Sequence, residues 1–236
     1  MSINFTQITE LIDRNCKSNS SSYPIAEKTA DINLALDKVI DLIFKSSGRW
    51  QFDDSNHDDY PTITTNLVAG QRDYPFVTDE QGNLILDIYK VMVKSTTTGQ
   101  YEEVYPVDMQ SDEGVSSFYD GLNTQGKPYR YDKTANGIFL DAIPDENVTE
   151  GLKIFINREG SYFTTTDTTK KPGFAGLFHE YLALRPSYQY AYRNGLEITK
   201  LLKNEMLEME SAIKKHYRDR NKDETLRITS ETISSI

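Results

Sequence analysis

Residues 64–76, TTNLVAGQRDYPF, decide the fold because the spacing of apolar residues changes at this stretch. Before it, apolar residues recur every three or four positions, as in helices, and after it they alternate, as in strands. Leu67 and Val68 belong to a predicted strand, Gly70 permits a turn, and residues 74–76 resume extended chain. The stretch has one glycine, so it does not fit a phosphate-binding loop. We expect the Arg-Asp pair after the turn to be exposed and to pair only weakly.

Helices are predicted on both sides of the β region. Phe5–Cys16 is expected to form a short helix. Residues 26–47 carry one apolar stripe at helical spacing and end before a glycine, which is a natural helix terminator. Residues 174–195 predict a helix that Pro186 kinks or splits in two. Residues 196–222 predict a long final helix whose exposed face carries mixed charge.

Residues 60–160 are expected to form a compact, mostly antiparallel β subdomain. They are rich in β-branched and aromatic residues, which are typical of strands. Asn136-Gly137 lies between two alternating runs and predicts a hairpin. The other predicted strands cover 62–69, 84–94, 101–107 and 151–159.

The order of these elements predicts the fold class. Each helix has one apolar face, so a shared bundle is the economical way to bury all of them. We therefore expect an α+β fold: an α-helical bundle of N-terminal helices and two long C-terminal helices, with the mostly antiparallel β subdomain inserted and a flexible C-terminal tail. The predicted domains are 1–59 with 161–222 for the bundle, 60–160 for the β subdomain and 223–236 for the tail.

Composition excludes several classes of protein. The net charge of −10 argues against general binding of nucleic acid, which needs a basic surface. The single cysteine, Cys16, excludes internal disulfides and cysteine-based zinc sites. No secretory signal or membrane-spanning run is recognised, so we expect no membrane partner and a reducing compartment. The 15 tyrosines and 10 phenylalanines fit assembly interfaces and half-buried strand faces equally well.

Candidate catalytic motifs are incomplete. His179-Glu180 begins like a zinc-protease helix, but position 183, where the second histidine is needed, is Ala183. The acidic run DDSNHDD at 53–59 begins like a calcium loop but lacks the required glycine and glutamate, and it is interpreted as a solvated loop. No nucleophile elbow or phosphate-binding motif occurs. We predict no enzyme, no cofactor and no metal.

The charges are unevenly distributed along the chain. Between Lys94 and Lys127 lie six acids and no base, whereas residues 214–222, KKHYRDRNK, hold five bases and one acid. The basic stretch fits two interpretations. It is either a solvated helix end that the helix dipole favours, or a basic segment that, with the flexible tail after it, binds an acidic partner.

Several stretches together resemble a known family. A helix ending in GRWQFDD (48–54) leads into TTNLVAGQRDYPF and a β region. GFAGLFHEYLALRPSYQYAYRNGL (173–196) and a long charged helix ending in YRDRNKDE (217–224) follow. This order resembles the head-to-tail adaptor, or connector, proteins of tailed bacteriophages, in the branch with a β insertion between bundle helices. The resemblance covers most of residues 25–225.

The resemblance implies a structural virion protein without enzymatic activity. Such adaptors form a ring, commonly of twelve copies, beneath the portal, extend the DNA channel and offer a platform for tail, nozzle or collar proteins. The implied location is the head–tail interface of the virion, with assembly in the host cytoplasm. Genome DNA would pass through without specific binding, which suits an acidic wall that repels phosphates.

The resemblance also implies site residues. The end of the C-terminal helix and the tail would dock on the portal through Lys214, Lys215, Tyr217, Arg218, Arg220, Lys222, Leu226, Ile228, Ile233 and Ile236. Packing in the bundle and between subunits would use Phe178, Tyr181, Tyr188, Tyr192, Leu202, Met206, Met209 and Ile213.

Two other functions remain open from the sequence, while a third, a DNA-packaging or nucleic-acid protein that uses residues 214–222, is disfavoured by the net charge of −10. The first is a tail-completion or collar protein that binds fibres or other tail parts through the β subdomain. The second is a metal-dependent hydrolase that uses Asp53, Asp54, His57 and Asp58.

Overall fold

The computed structural model describes residues 3–47, 62–79, 82, 84–108, 124–134 and 136–219. The chain divides into two compact units. The helical unit comprises Met1–Arg49, Phe163–Thr169 and Gly176–Ile236, and the sheet unit comprises Trp50–Tyr162 and Lys170–Ala175, each within its described residues.

The described part of the helical unit contains four α-helices. They are α1 (Phe5–Cys16), α2 (Ile25–Ser47), α3 (Tyr181–Arg193) and α4 (Thr199–Asp219). A capping box of Asn4 and Gln7 starts α1, and Lys17 ends it in the left-handed conformation with φ of 51°. Helix α2 packs on α3 and α4, and α1 packs on α3. The two ends of the chain therefore share one core.

The boundaries of α3 correct the predicted helix 174–195. A short 3-10 turn, Gly176–Phe178, comes first, and the α-helix begins at Tyr181. Pro186 does not split the helix, which continues through it to Arg193. Because Pro186 lies in the second turn, it costs only the one backbone hydrogen bond that the Leu182 carbonyl would accept.

Aromatic stacking and a buried carboxylate join α2 to α3. The Tyr23 and Tyr190 rings stack with centroids 4.6 Å apart. The Tyr23 hydroxyl donates to Asp31 at 2.5 Å, and the Arg193 guanidinium donates to the same carboxylate at 3.1 Å. Burial and this hydrogen bond raise the pKa of Tyr23 well above its usual range. The carboxylate is therefore satisfied on both sides, as a buried charge requires.

The described part of the sheet unit is one sheet of seven strands. They are β1 (Thr62–Leu67), β2 (Asp73–Pro75), β3 (Ile85–Lys94), β4 (Tyr101–Pro106), β5 (Arg130–Thr134), β6 (Gly137–Leu140) and β7 (Val148–Arg158). Their order in the sheet is β1-β7-β3-β4-β5-β6-β2. All neighbours are antiparallel except β4 and β5. The core consists of alternate strand residues, among them Val91, Tyr131, Ile138 and Ile154.

This architecture contradicts the predicted helical bundle with an inserted β subdomain. The chain is a sheet-dominated α+β fold with four helices and a curled, mixed seven-stranded sheet in its described part. Two features of the sheet could not be predicted from the spacing of apolar residues in the sequence. Strand β2 has only three residues, and β4 pairs in parallel with β5, with Tyr105 opposite Arg130. The predicted tail, 223–236, and the acidic run 53–59 lie outside the described residues.

The stretch 64–76 connects the two edge strands, β1 and β2. Gly70 turns with φ of +83°, which favours glycine, and its N–H donates to the Pro144 carbonyl at 2.8 Å. The Val68 N–H donates to the Tyr74 hydroxyl at 3.0 Å. Arg72 is not a locally paired exposed residue, because its guanidinium donates to the distant Asp141 carbonyl at 3.3 Å. These contacts hold the two sheet edges together.

The pairing of β2 with β6 provides a test of this arrangement. A Cβ atom on Gly137 would lie 2.3 Å from the Tyr74 carbonyl oxygen and 3.0 Å from the Pro75 Cα. Gly137→Ala must therefore push β2 away, and we expect it to lower the free energy of unfolding by about 1–3 kcal/mol in urea titrations. Thr134→Ala, at an exposed position of the same hairpin, should change stability by less than about 0.5 kcal/mol. Equal stabilities of the two variants would contradict the close β2–β6 contact.

Candidate assembly surface

Helix α4 has a single apolar stripe that faces the helical unit's own core. The stripe consists of Leu202, Met206, Ile213 and Tyr217, which are all buried. Their successive spacings of four, seven and four residues place them on one side of the helix. Tyr181 of α3 donates its hydroxyl to Glu210 of α4 at 2.7 Å, which fixes the rotation of α4 about its axis.

The predicted packing residues are placed mostly inside a single chain. Five of them are buried: Phe178, Tyr181, Leu202, Met206 and Ile213. Tyr188 and Met209 are partly buried against a cluster of α3 and α4 residues. Tyr192 differs from the rest, because 70% of it is exposed. One chain thus covers most of these side chains without a neighbour, and Tyr192 is the member of the set that offers an open aromatic surface.

The predicted docking residues form two groups, those within α4 and those that follow it in the sequence. Lys214, Lys215 and Arg218 are exposed, whereas Tyr217 is only 2% exposed. The Tyr217 ring meets the His216 ring edge-on with centroids 5.1 Å apart. The end of the helix is therefore anchored by one aromatic residue and presents three cations to solvent. The remaining predicted docking residues lie outside the described part of the chain: Arg220, Lys222, Leu226, Ile228, Ile233 and Ile236.

His179, from the incomplete zinc-protease motif, has a structural role. His179 is 2% exposed, and its Nδ1 lies 3.3 Å from the Ile3 nitrogen and 3.2 Å from the Ile3 oxygen. It connects the N-terminus to the turn before α3. Among the described residues, no group of three or more His, Cys, Asp or Glu side chains is placed to hold a metal ion. The four residues of the hydrolase hypothesis lie outside those residues: Asp53, Asp54, His57 and Asp58.

The only cysteine, Cys16, lies at the C-terminal end of α1. It is buried and forms no disulfide. Burial raises the pKa of its thiol, so the reactive thiolate is disfavoured. None of the helices in the described part of the chain is long and apolar enough to cross a membrane.

The sequence analysis missed the exposed leucines of α4 and the arrangement of charges around them. Leu201 is 55% exposed and Leu207 is 48% exposed, on a helix whose own core is already filled. The signal was present in the sequence as Lys200 with Lys203 and Glu205 with Glu208, two pairs of like charge three residues apart. Charges at this spacing are neighbours on the helix surface. Within residues 200–208, the exposed charges are therefore separated by sign around the helix.

The hydrogen bond between α3 and α4 predicts how stability depends on pH. Burial first, and then the bond to Glu210, raise the pKa of Tyr181 above its usual range. Because the folded state holds the neutral phenol, this contribution is complete below the unfolded tyrosine pKa of about 10 and is lost as pH rises further. Urea titrations should show the free energy of unfolding falling above about pH 10, and less steeply in Tyr181→Phe.

The same variant should lose about 1 kcal/mol at neutral pH, because Glu210 loses its donor. Tyr192→Phe is the matched control, since it removes a hydroxyl from an exposed ring on the same helix. It should keep the wild-type pH dependence. An alkaline slope that is the same in Tyr181→Phe and wild type would show that the Tyr181–Glu210 bond does not secure α4.

Comparison with known proteins identifies no relative: no protein-family model matches the chain, and no curated protein matches it.

Proposed function

We propose that this chain is a non-enzymatic structural protein of a tailed-bacteriophage virion. It would be an adaptor that forms a ring beneath the portal, extends the DNA channel and carries the next tail component. Support comes from sequence patterns over most of residues 25–225 that resemble head-to-tail adaptors, although the helical bundle with a β insertion that the resemblance implied is not the architecture observed. The exposed cations at the end of α4 provide the second line of support.

The observation that carries the proposal is the end of α4. Lys214, Lys215 and Arg218 are exposed on the last turns of a helix that Tyr217 anchors to the core. Interaction with the helix dipole favours cations only within the last turn and contributes about 0.3–1 kcal/mol each. Lys214 lies more than a turn before the helix end at Asp219. The cluster therefore extends beyond what the dipole favours, and it fits contact with an acidic partner surface.

The charge of the whole chain fits a channel component. The net charge of −10 disfavours adhesion to DNA phosphates and would let a genome slide past. The basic end of α4 is the exception, so it is assigned to the portal rather than to DNA.

One observation favours the collar alternative. Tyr105 and Tyr129 are each 65% exposed at the junction of β4 and β5, where the Tyr105 N–H donates to the Tyr129 carbonyl at 3.0 Å. Exposed tyrosines are frequent at protein contact surfaces. A fibre or collar protein could bind the sheet unit there. Locating the protein within virus particles by electron microscopy would separate this function from the portal adaptor.

Deleting residues 223–236 tests portal docking directly. The sequence predicts a flexible tail here, so we expect the truncated protein to keep its circular-dichroism spectrum and melting temperature. We expect it to lose co-sedimentation with the portal protein of the same virus. A replacement of the segment by Gly and Ser at equal length should fail as well, because the side chains rather than the length make the contact.

A second variant tests the helix end. Lys214→Glu/Lys215→Glu/Arg218→Glu reverses the three exposed cations and should weaken portal binding at least tenfold, with a smaller salt dependence than wild type. Normal co-assembly of both the truncated chain and this triple variant would show that the C-terminal end does not dock on the portal.

A further inference from the structure

The solvent side of α4 carries two flanks of opposite charge, each with one exposed leucine. The acidic flank consists of Leu201, Glu205 and Glu208. The basic flank consists of Lys200, Lys203 and Leu207. All six side chains are exposed. Both flanks lie in the N-terminal half of α4, away from the cations at its end.

Helical geometry places the two flanks on opposite sides of the buried stripe. Each residue advances about 100° around an α-helix, so Leu201 and Leu207 lie about 120° apart. The buried Leu202, Met206 and Ile213 centre about 120° from each of the two leucines. A helix with this arrangement contacts its own core on one side and has two further surfaces that point in different directions.

Among the described residues, Lys200, Lys203, Glu205 and Glu208 have no ion-pair partner. On an isolated helix, like charges three residues apart destabilise, whereas opposite charges at this spacing stabilise. The arrangement therefore costs the free chain stability, and a partner that supplies the opposite sign to each flank would remove the cost.

We propose that the acidic flank of one copy of this chain packs against the basic flank of the next copy. Glu205 and Glu208 would pair with Lys200 and Lys203 of the neighbour, and the two exposed leucines would meet in between. The contact is heterologous, because it joins two different surfaces. When two copies pair, each therefore keeps one flank free for a further copy, and the chain of copies can close into a ring. This inference rests on the proposed adaptor function and names the surface that builds the ring.

A second copy fits these flanks better than other occupants. A two-fold dimer through either flank would oppose like charges, which costs binding energy. A nucleic acid would contact the basic flank and be repelled by the acidic flank on the same helix. The complementary surface needed by each flank is present on the chain itself.

Complementary charge reversal tests the contact. Glu205→Lys/Glu208→Lys makes both flanks basic, and Lys200→Glu/Lys203→Glu makes both acidic. In sedimentation velocity at low salt, wild type should associate as its concentration rises, and each variant alone should remain monomeric. An equimolar mixture of the two variants should associate again, because each supplies the flank that the other lacks. A mere folding defect could not be rescued in this way.

Glu10→Lys/Glu27→Lys is the matched control. It makes the same change in net charge as Glu205→Lys/Glu208→Lys at two exposed positions on α1 and α2, and it should associate like wild type. The inference is overturned if wild type stays monomeric at all concentrations, if either flank variant associates alone, or if the mixture stays monomeric.

Cysteine cross-linking tests the direction of the contact. Cys16 is buried, so new thiols can be introduced at exposed positions without removing it. Leu201→Cys and Leu207→Cys should each fail to form covalent dimers alone and should form them when mixed. The double variant should form a ladder of oligomers. Dimers from either single variant alone would indicate a two-fold contact and would refute the heterologous one.

The adaptor function and the flank contact can fail separately. Portal co-sedimentation reports on the end of α4, whereas association in the absence of portal reports on the flanks. Portal binding by a chain that never self-associates would keep the adaptor function and overturn the flank contact. Self-association through the flanks without portal binding would refute the portal adaptor alone.

Discussion

The single apolar stripe of α4 is the constraint that fixes which of its other side chains are exposed. Because Leu202, Met206 and Ile213 enter the chain's own core, the rotation of α4 is fixed, and Leu201 and Leu207 on its other sides are exposed. The hydrogen bond from Tyr181 to Glu210 secures that rotation from α3. The charges on the exposed sides then have defined directions. In the proposed assembly, the first half of α4 contacts neighbouring copies, and its basic C-terminal end contacts the portal.

In the sheet unit, the two edge strands of the seven-stranded sheet need protection from pairing with other chains. Edge strands leave unpaired backbone groups that invite aggregation. The stretch 64–76 joins both edges, with the Gly70 N–H bonded to the Pro144 carbonyl and the Val68 N–H bonded to the Tyr74 hydroxyl. The sequence that marks the change in periodicity is therefore a structural connection, and its polar residues bond to the backbone of the sheet.

Local patterns predicted local structure well. The Phe5–Cys16 helix and the predicted hairpin are confirmed, because capping, helical spacing and turn chemistry act between near neighbours in the chain. Gly137 itself lies in β6, opposite Thr134, rather than in the turn. The predicted bundle is wrong, because the parallel β4–β5 pair and the β1–β7 pair join segments far apart in sequence. The burial of Tyr217 and the like-charged pairs on α4 could both have been predicted from their spacing along the helix.

We propose that this chain is an assembly protein whose ring forms on a portal. The most direct measurement is electron cryomicroscopy of the purified protein mixed with the portal protein of the same virus. We expect a closed ring of this chain stacked on the portal, with α4 of each copy lying between its own core and the α4 flanks of its neighbours. A portal that carries no density for this chain at saturating concentration would show that the chain is not a portal adaptor.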